Sequence, residues 1–212
     1  MSRETLSLAL LFAVAVLFVF SGTPVLAADA VKADVIVLPT PQTTGGKPLM
    51  EALFARRSDR VFSDADVSLQ ETSNLLWATW GINRKDGQRT APTAKNTQAV
   101  EVYVVLENGV WRYDAVKNIL GRVLDQNVTT KVGDAPMTLL YAAPEKDPFA
   151  GMHVGSLYQN AGLYCASAGL SNVVKNTGAR ALDGILTLPD GYKIFILQSV
   201  GWPKNDKPED SQ

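Results

Sequence analysis

The chain has 212 residues, with 20 lysines and arginines against 21 aspartates and glutamates and a formal net charge of -1. That balance supplies no electrostatic reason to bind nucleic acid or an anionic membrane surface. The single cysteine, Cys165, excludes an intrachain disulfide, and its place in the apolar run Ala161 to Leu170 predicts a buried, inert thiol.

The first 27 residues have the layout of a secretory signal peptide. Arg3 gives a basic start, Leu6 to Phe20 is apolar apart from Ser7, Ser21-Gly22-Thr23-Pro24 breaks the run, and Val25-Leu26-Ala27 precedes a cleavage point. The apolar run is shorter than the roughly 20 residues of a membrane span, so no stable span is expected after cleavage. An uncleaved N-terminal anchor is the alternative. No cysteine lies near the cleavage point to suggest a lipid anchor, and no Arg-Arg pair precedes the apolar run to suggest twin-arginine export. The expectation is a periplasmic or secreted protein whose remaining 185 residues form one domain.

Residues 28–47 read as a tether, with an extended piece at Val35 to Leu38, because they hold Pro39, Pro41, Gly45 and Gly46 among small and polar residues. Pro48 suits a first helical position, and Leu49, Ala52 and Leu53 follow at helical spacing toward an end near Arg57. Ser68-Leu69-Gln70-Glu71 is a capping box opening a helix that runs to Gly81. Residues 82–99 are polar and irregular. Glu101 to Glu107 reads as a strand, Asn108-Gly109 as a turn and Val110 to Tyr113 as its hairpin partner. Ala115 to Gln126 reads as a helix and Met137 to Ala143 as a buried strand. Gly155 to Leu170 is apolar nearly all round, which predicts a helix buried in the core or in a subunit interface. Tyr192 to Val200 is the last strand, and a charged tail covers 204–212. The sum is one α+β domain over 48–203, a mainly antiparallel sheet flanked by helices.

Most side-chain chemistry is closed to this chain. His153 is the only histidine, no G-x-S-x-G frame accompanies it, and one His with one Cys makes a poor zinc site, so a surface or helix-start role is expected for it. There is no phosphate loop of the Walker type and no G-x-G-x-x-G after a strand. Asp64 and Asp66 belong to a polar loop rather than to a glycosidase pair. Any enzymatic activity is therefore expected to come from a cofactor that carries the hard chemistry.

Two clusters remain. Arg56-Arg57-Ser58-Asp59-Arg60 sets three guanidinium groups and a hydroxyl at a helix end. It reads either as cations favoured by the helix dipole or as a phosphate site, since guanidinium forks match phosphate oxygens. Arg89-Thr90-Ala91-Pro92-Thr93-Ala94-Lys95-Asn96-Thr97-Gln98 reads either as a polar loop or as a ring-edge site, since Asn96 offers both a donor and an acceptor.

With these stretches the chain resembles the nitroreductase superfamily, especially the branch of SagB-like dehydrogenases of peptide azoline oxidation. The likeness extends Arg56 to Arg60 through Val61-Phe62, and includes Asn74-Leu75-Leu76-Trp77-Ala78, Gly81-Ile82-Asn83-Arg84, Arg89 to Asn96, Val102 to Val105 and Trp111 to Asp114. After residue 125 it is looser, at Gln159-Asn160, Ala168-Gly169-Leu170 and Val200-Gly201-Trp202-Pro203. The resemblance implies a homodimer with FMN at the subunit interface. It implies that Arg56, Arg57 and Ser58 hold the phosphate, that Arg60 lies near N1 and O2 of the ring, and that Thr93 and Asn96 contact the isoalloxazine. A backbone N–H from Val174 to Gly178, near Asn176, would face N5, although this stretch lacks the Glu-Gly pair common there. Lys204 or Lys207 would finish the phosphate site. The implied activity is electron or hydride transfer between a reduced donor, with NAD(P)H as a candidate, and a nitro, quinone or related acceptor. The alternatives are a flavin-binding electron-transfer or maturation partner without its own turnover, and a fold relative that has lost FMN.

Overall fold

The computed structural model describes residues 34–133 and 135–204. The signal-peptide stretch, Lys207 and the rest of the tail lie outside the described residues. Among the described residues seven strands are present: β1 (Val35–Val37), β2 (Glu101–Leu106), β3 (Gly109–Asp114), β4 (Ile119–Leu124), β5 (Met137–Pro144), β6 (Ser171–Lys175) and β7 (Tyr192–Gly201). They form one sheet in the order β1-β4-β3-β2-β5-β7-β6, with every neighbouring pair antiparallel. Four α-helices accompany it: α1 (Leu49–Ala55), α2 (Leu69–Trp80), α3 (Thr129–Val132) and α4 (Ala150–Ala168). This is the α+β architecture expected from the sequence.

Both faces of the sheet are covered, which is why β2 and β5 are almost continuously apolar. Alternate residues point to opposite faces. Val102, Val104, Leu139 and Tyr141 join the cluster packed with α2 and α4. Tyr103, Val105, Leu140 and Ala142 join a second cluster with Val128, Val132, Leu182 and Leu186. Ser68 caps α2 as the capping box predicts, its Oγ accepting from the Glu71 N–H at 3.2 Å. Helix α4 ends where Gly169 adopts φ 80°, a left-handed conformation open to glycine, and the chain turns directly into β6.

Three sequence expectations are corrected. The segment Ala115 to Gln126 is not a helix. The Asp114 carboxylate accepts from the Val116 and Lys117 N–H groups, Asn118 turns through φ 51°, and β4 pairs with both β3 and β1. Tertiary pairing outweighs local helix propensity there. The supposed tether is bound to the domain over its described part. Leu38 is buried, Asn118 Nδ2 donates to Pro39 O at 2.8 Å, Gln42 N–H donates to Asn74 Oδ1 at 2.7 Å, and Lys47 N–H donates to Ser167 Oγ at 2.7 Å. Strand β6 was not expected at all. It is short, it begins straight after α4, and its sequence Ser171-Asn172-Val173-Val174-Lys175 lacks a clear alternation.

Helix α4 spends its apolar side on its own chain: Val154, Leu157, Ala161 and Cys165 are buried in the helix-side cluster. Truncating Leu157 to Ala leaves a cavity between α4 and the sheet. We expect a loss of about 2–5 kcal/mol in chemical denaturation, at unchanged denaturant slope.

Candidate functional site

Past α1 the backbone is extended: Arg56 has φ -61° and ψ 120°. Asp59 fastens this segment to the start of β6. Its N–H donates to Asn172 O at 2.8 Å, and its carboxylate accepts from Ser171 Oγ at 2.9 Å and from the Val61 N–H at 3.3 Å. Partial burial opposes ionisation of this carboxyl. The Val61 and Ser171 hydrogen bonds and the Arg57 charge outweigh it and hold the group below its ordinary range. With Asp59 engaged by its neighbours, Arg56, Arg57, Ser58 and Arg60 stand exposed. The first two arginines have different surroundings. The Arg56 stem lies along α4 at Gly162, where a Cβ would sit 3.8 Å from Arg56 Cδ. Arg57 lines a cleft of about 170 Å³ with Lys47, Asp59, Ser171, Asn172 and Pro203. Lys47 Nζ donates to Ala166 O at 3.1 Å, placing a cation on the negative end of the α4 dipole.

The chain end returns to this place. Phe62 pairs with Pro203, Ser63 N–H donates to Trp202 O at 2.9 Å, and Trp202 Nε1 donates to Asp66 O at 3.2 Å. Lys204 follows Pro203, which lines the same cleft as Arg57. Asp64 and Asp66 lie in the intervening loop.

The second cluster is a tight, strained loop. Lys95, Asn96 and Gln98 have φ of 55°, 52° and 47°, in the left-handed region that costs a side-chain-bearing residue energy. Side chains hold it there. Thr93 Oγ1 accepts from the Gln98 N–H at 3.1 Å, Asn96 Oδ1 accepts from Gln98 Nε2 at 3.1 Å, and Arg89 Nε donates to Gln98 Oε1 at 2.9 Å. Arg89 itself lies over the Trp80 ring at 4.6 Å. Thr93 and Asn96 therefore do come together in one turn. The loop is bound to α4 near its N-terminus, because Ala94 N–H donates to His153 Nε2 at 2.8 Å.

The two clusters thus lie at different levels of one helix. Nine residues separate His153 from Gly162, a rise of about 13 Å. Asn176 is exposed just beyond the end of β6, roughly 13 Å along the strand direction from the Asp59 attachment at Asn172.

Sequence reasoning missed several of the residues that build this place. His153 is at a helix start, as one of its two expected roles had it, but it is not on the surface: it is 4% exposed in the first turn of α4, with Nδ1 3.4 Å from Asp147 Oδ2. Gln198, fully buried on β7, accepts from Tyr141 OH at 2.6 Å and donates to Asn172 Oδ1 at 2.9 Å and Tyr158 O at 3.3 Å. Asn172 is the residue to which Asp59 is bound, so a buried polar chain runs from the sheet centre to the guanidinium segment. An isolated Gln inside the apolar strand Ile194 to Val200 was the one available signal. Cys165 is buried as expected, and burial pushes its thiol pKa up.

The model of the nitroreductase family matches residues 53–202. The chain belongs to that family. A nitroreductase homologue of Ralstonia eutropha has a crystal structure that superposes with a TM-score of 0.76, at 34% identity over 81% of this chain and 90% of that one. A nitroreductase homologue of Methanocaldococcus jannaschii is 28% identical over 151 residues, 59% of this chain and 76% of its own. A nitroreductase of Bacteroides fragilis, solved with bound FMN, shares the fold at a TM-score of 0.55 and 15% identity, over 78% of this chain and 94% of that one. As a nitroreductase family member the chain is an oxidoreductase of flavin type in general outline.

Because Asp59 has a lowered carboxyl pKa, its bonds add stability above the ordinary carboxylate range, near 3.9, and the gain is lost as pH falls through the lowered value. Asp59→Ala should cost about 1–2 kcal/mol at neutral pH. In denaturant titrations the gap between variant and parent should close as pH drops below about 4.

Proposed function

We propose that the protein is an FMN-dependent oxidoreductase that works as a homodimer on small-molecule electron donors and acceptors. The observation that carries this reading is the placement of two unlike sites along α4. The exposed Arg56 lies beside Gly162 and Arg57 in a cleft at the end of the helix, and a turn rich in amide and hydroxyl groups is bound at His153. A ligand with a phosphate at one end and a polar-edged ring at the other suits that pair.

FMN fits the residues present. Arg56, Arg57 and Ser58, with Lys204 next after Pro203, would hold the phosphate, Arg56 from beside Gly162 and Arg57 from the cleft with Lys47 and Pro203. Arg60 would face N1 and O2, and Thr93 and Asn96 the ring edge. A backbone N–H near Asn176 would face N5. When bound, FMN supplies the redox chemistry, and the chain supplies binding, orientation and field. A fixed cation at Arg60 stabilises negative charge where the ring gains it on reduction. No side-chain acid or base is assigned to the reaction. NAD(P)H is the candidate reductant, with a nitro, quinone or related compound as acceptor. The leader motif suggests work in the periplasm or outside the cell, where nicotinamide donors are scarce, so another reductant is the main alternative there.

The homodimer rests on α1. Leu49 is 63% exposed, Met50 74%, Leu53 43% and Phe54 94%, on a seven-residue helix that buries only Ala52. Such an apolar patch needs a cover. It immediately precedes Arg56, so a second copy seated on it would also close over the guanidinium segment.

Two measurements test the reading. Arg60→Ala should weaken the reduced cofactor more than the oxidised one, by about 1.5–3 kcal/mol, and so lower the flavin potential. Arg56→Ala should raise the FMN dissociation constant with little change in potential. Equal affinity losses with unchanged potentials would remove the Arg60 assignment. Separately, Phe54→Asp should give a folded monomer by light scattering, with weakened FMN binding. A dimer that survives this change would move the interface elsewhere.

A further inference from the structure

The turn from Thr93 to Gln98 stores strain at three positions, and within that turn the hydrogen bond that reaches a core helix is the one made by Ala94. That bond runs from the Ala94 N–H to His153 Nε2 at 2.8 Å, across 59 residues of sequence. A backbone amide can only donate, so Nε2 must carry a lone pair and no proton. The other ring nitrogen, Nδ1, faces Asp147 Oδ2 at 3.4 Å and carries the proton. Asp147 is held in turn, its Oδ1 accepting from the Phe149 N–H at 2.9 Å. The Phe149 ring covers the imidazole at 6.3 Å between centroids. The charged groups on the two segments packed against it are Asp147 and the exposed Lys146 before α4, and the exposed Lys95 on the loop. Asp147 alone is in contact with it.

We propose that His153 is a positioning residue for this loop: its proton-free Nε2 latches Ala94, and a proton on Nε2 releases the latch. Protonation turns an acceptor into a donor facing another donor. The bond is lost, Asp147 stabilises the imidazolium, and the left-handed turn at Lys95 and Asn96 is free to relax. Loop geometry, and with it the grip on the cofactor ring, thereby becomes sensitive to acid. The consequence for the cofactor rests on the FMN reading above. The latch itself does not.

The test uses the purified protein without added cofactor. Nitrogen NMR of the histidine should show Nε2 unprotonated and Nδ1 protonated at neutral pH. His153→Ala should speed amide exchange at Ala94 and Gln98 about five-fold or more, the loss of one hydrogen bond, while the core amide of Leu139 is unchanged. His153→Gln, whose Oε1 is again an acceptor, should restore slow exchange. If the Ala variant does not fold, acid titration of the parent gives the same readout: protection of the Ala94 amide, its exchange relative to an unstructured chain at the same pH, should fall in step with the appearance of the Nε2 proton. A protonated Nε2 at neutral pH, or Ala94 protection indifferent to both substitution and titration, overturns the latch. FMN titration is then run on the parent and on the Gln and Ala variants. A parent that binds no FMN removes the cofactor reading and leaves the latch standing on its exchange data. A parent that binds FMN while the Ala variant, with a loosened loop, binds it equally well shows that the latch does not position the cofactor site.

Discussion

The burial of α4 is the constraint on which the rest depends. A helix this apolar has to bury most of its surface, and here the sheet, α1 and α2 pack against it and leave Gly151, Met152 and Gln159 exposed. Once it is fixed, each part of the candidate site takes its place from it. Arg56 lies along Gly162, where a Cβ would meet its stem at 3.8 Å, an ordinary contact. Lys47 is fixed to the last turn, the strained loop is bound at His153, and Asn160 Nδ2 reaches Thr90 O at 3.3 Å. The helix supplies no chemistry. It sets the separation between a cationic segment and an amide-bearing turn.

The polar groups buried beside α4 follow the same logic. Tyr141, Gln198 and Asn172 are shut away from water, and each finds its partner in the others. Burial drives the Tyr141 phenol pKa well up, so it remains a neutral donor to Gln198. Such a network favours one arrangement of strands β5, β7 and β6, because a shift of register would leave several of these groups unpaired at a cost of about 1–3 kcal/mol each. The Asp59 attachment to β6 carries that definition out to the arginine segment.

Features set by local chemistry were legible in the sequence: the Ser68 to Glu71 cap, the Asn108-Gly109 hairpin, the buried α4 and the α+β class. The guanidinium and Thr93 to Asn96 clusters were visible as residue types, and their placement on one helix was not. Features set by distant partners were hidden. Strand β4 looks helical until β1 and β3 are in place. His153 looks like a surface residue among Gly151, Met152 and Gly155, and only the fold brings Ala94 to its ring. The separate surroundings of Arg56, beside Gly162, and of Arg57, in the cleft with Lys47 and Pro203, follow the early end of α1 at Ala55, two residues short of the expected boundary, with Arg56 already on extended chain.

If the two clusters beside α4 hold one flavin mononucleotide per chain, titration of the purified protein with FMN, followed by the absorbance and fluorescence of the flavin, should saturate at one FMN per chain, with a shifted flavin band, altered fluorescence and competition by inorganic phosphate at high concentration. An FMN spectrum unchanged by excess protein would mean that the clusters do not hold it.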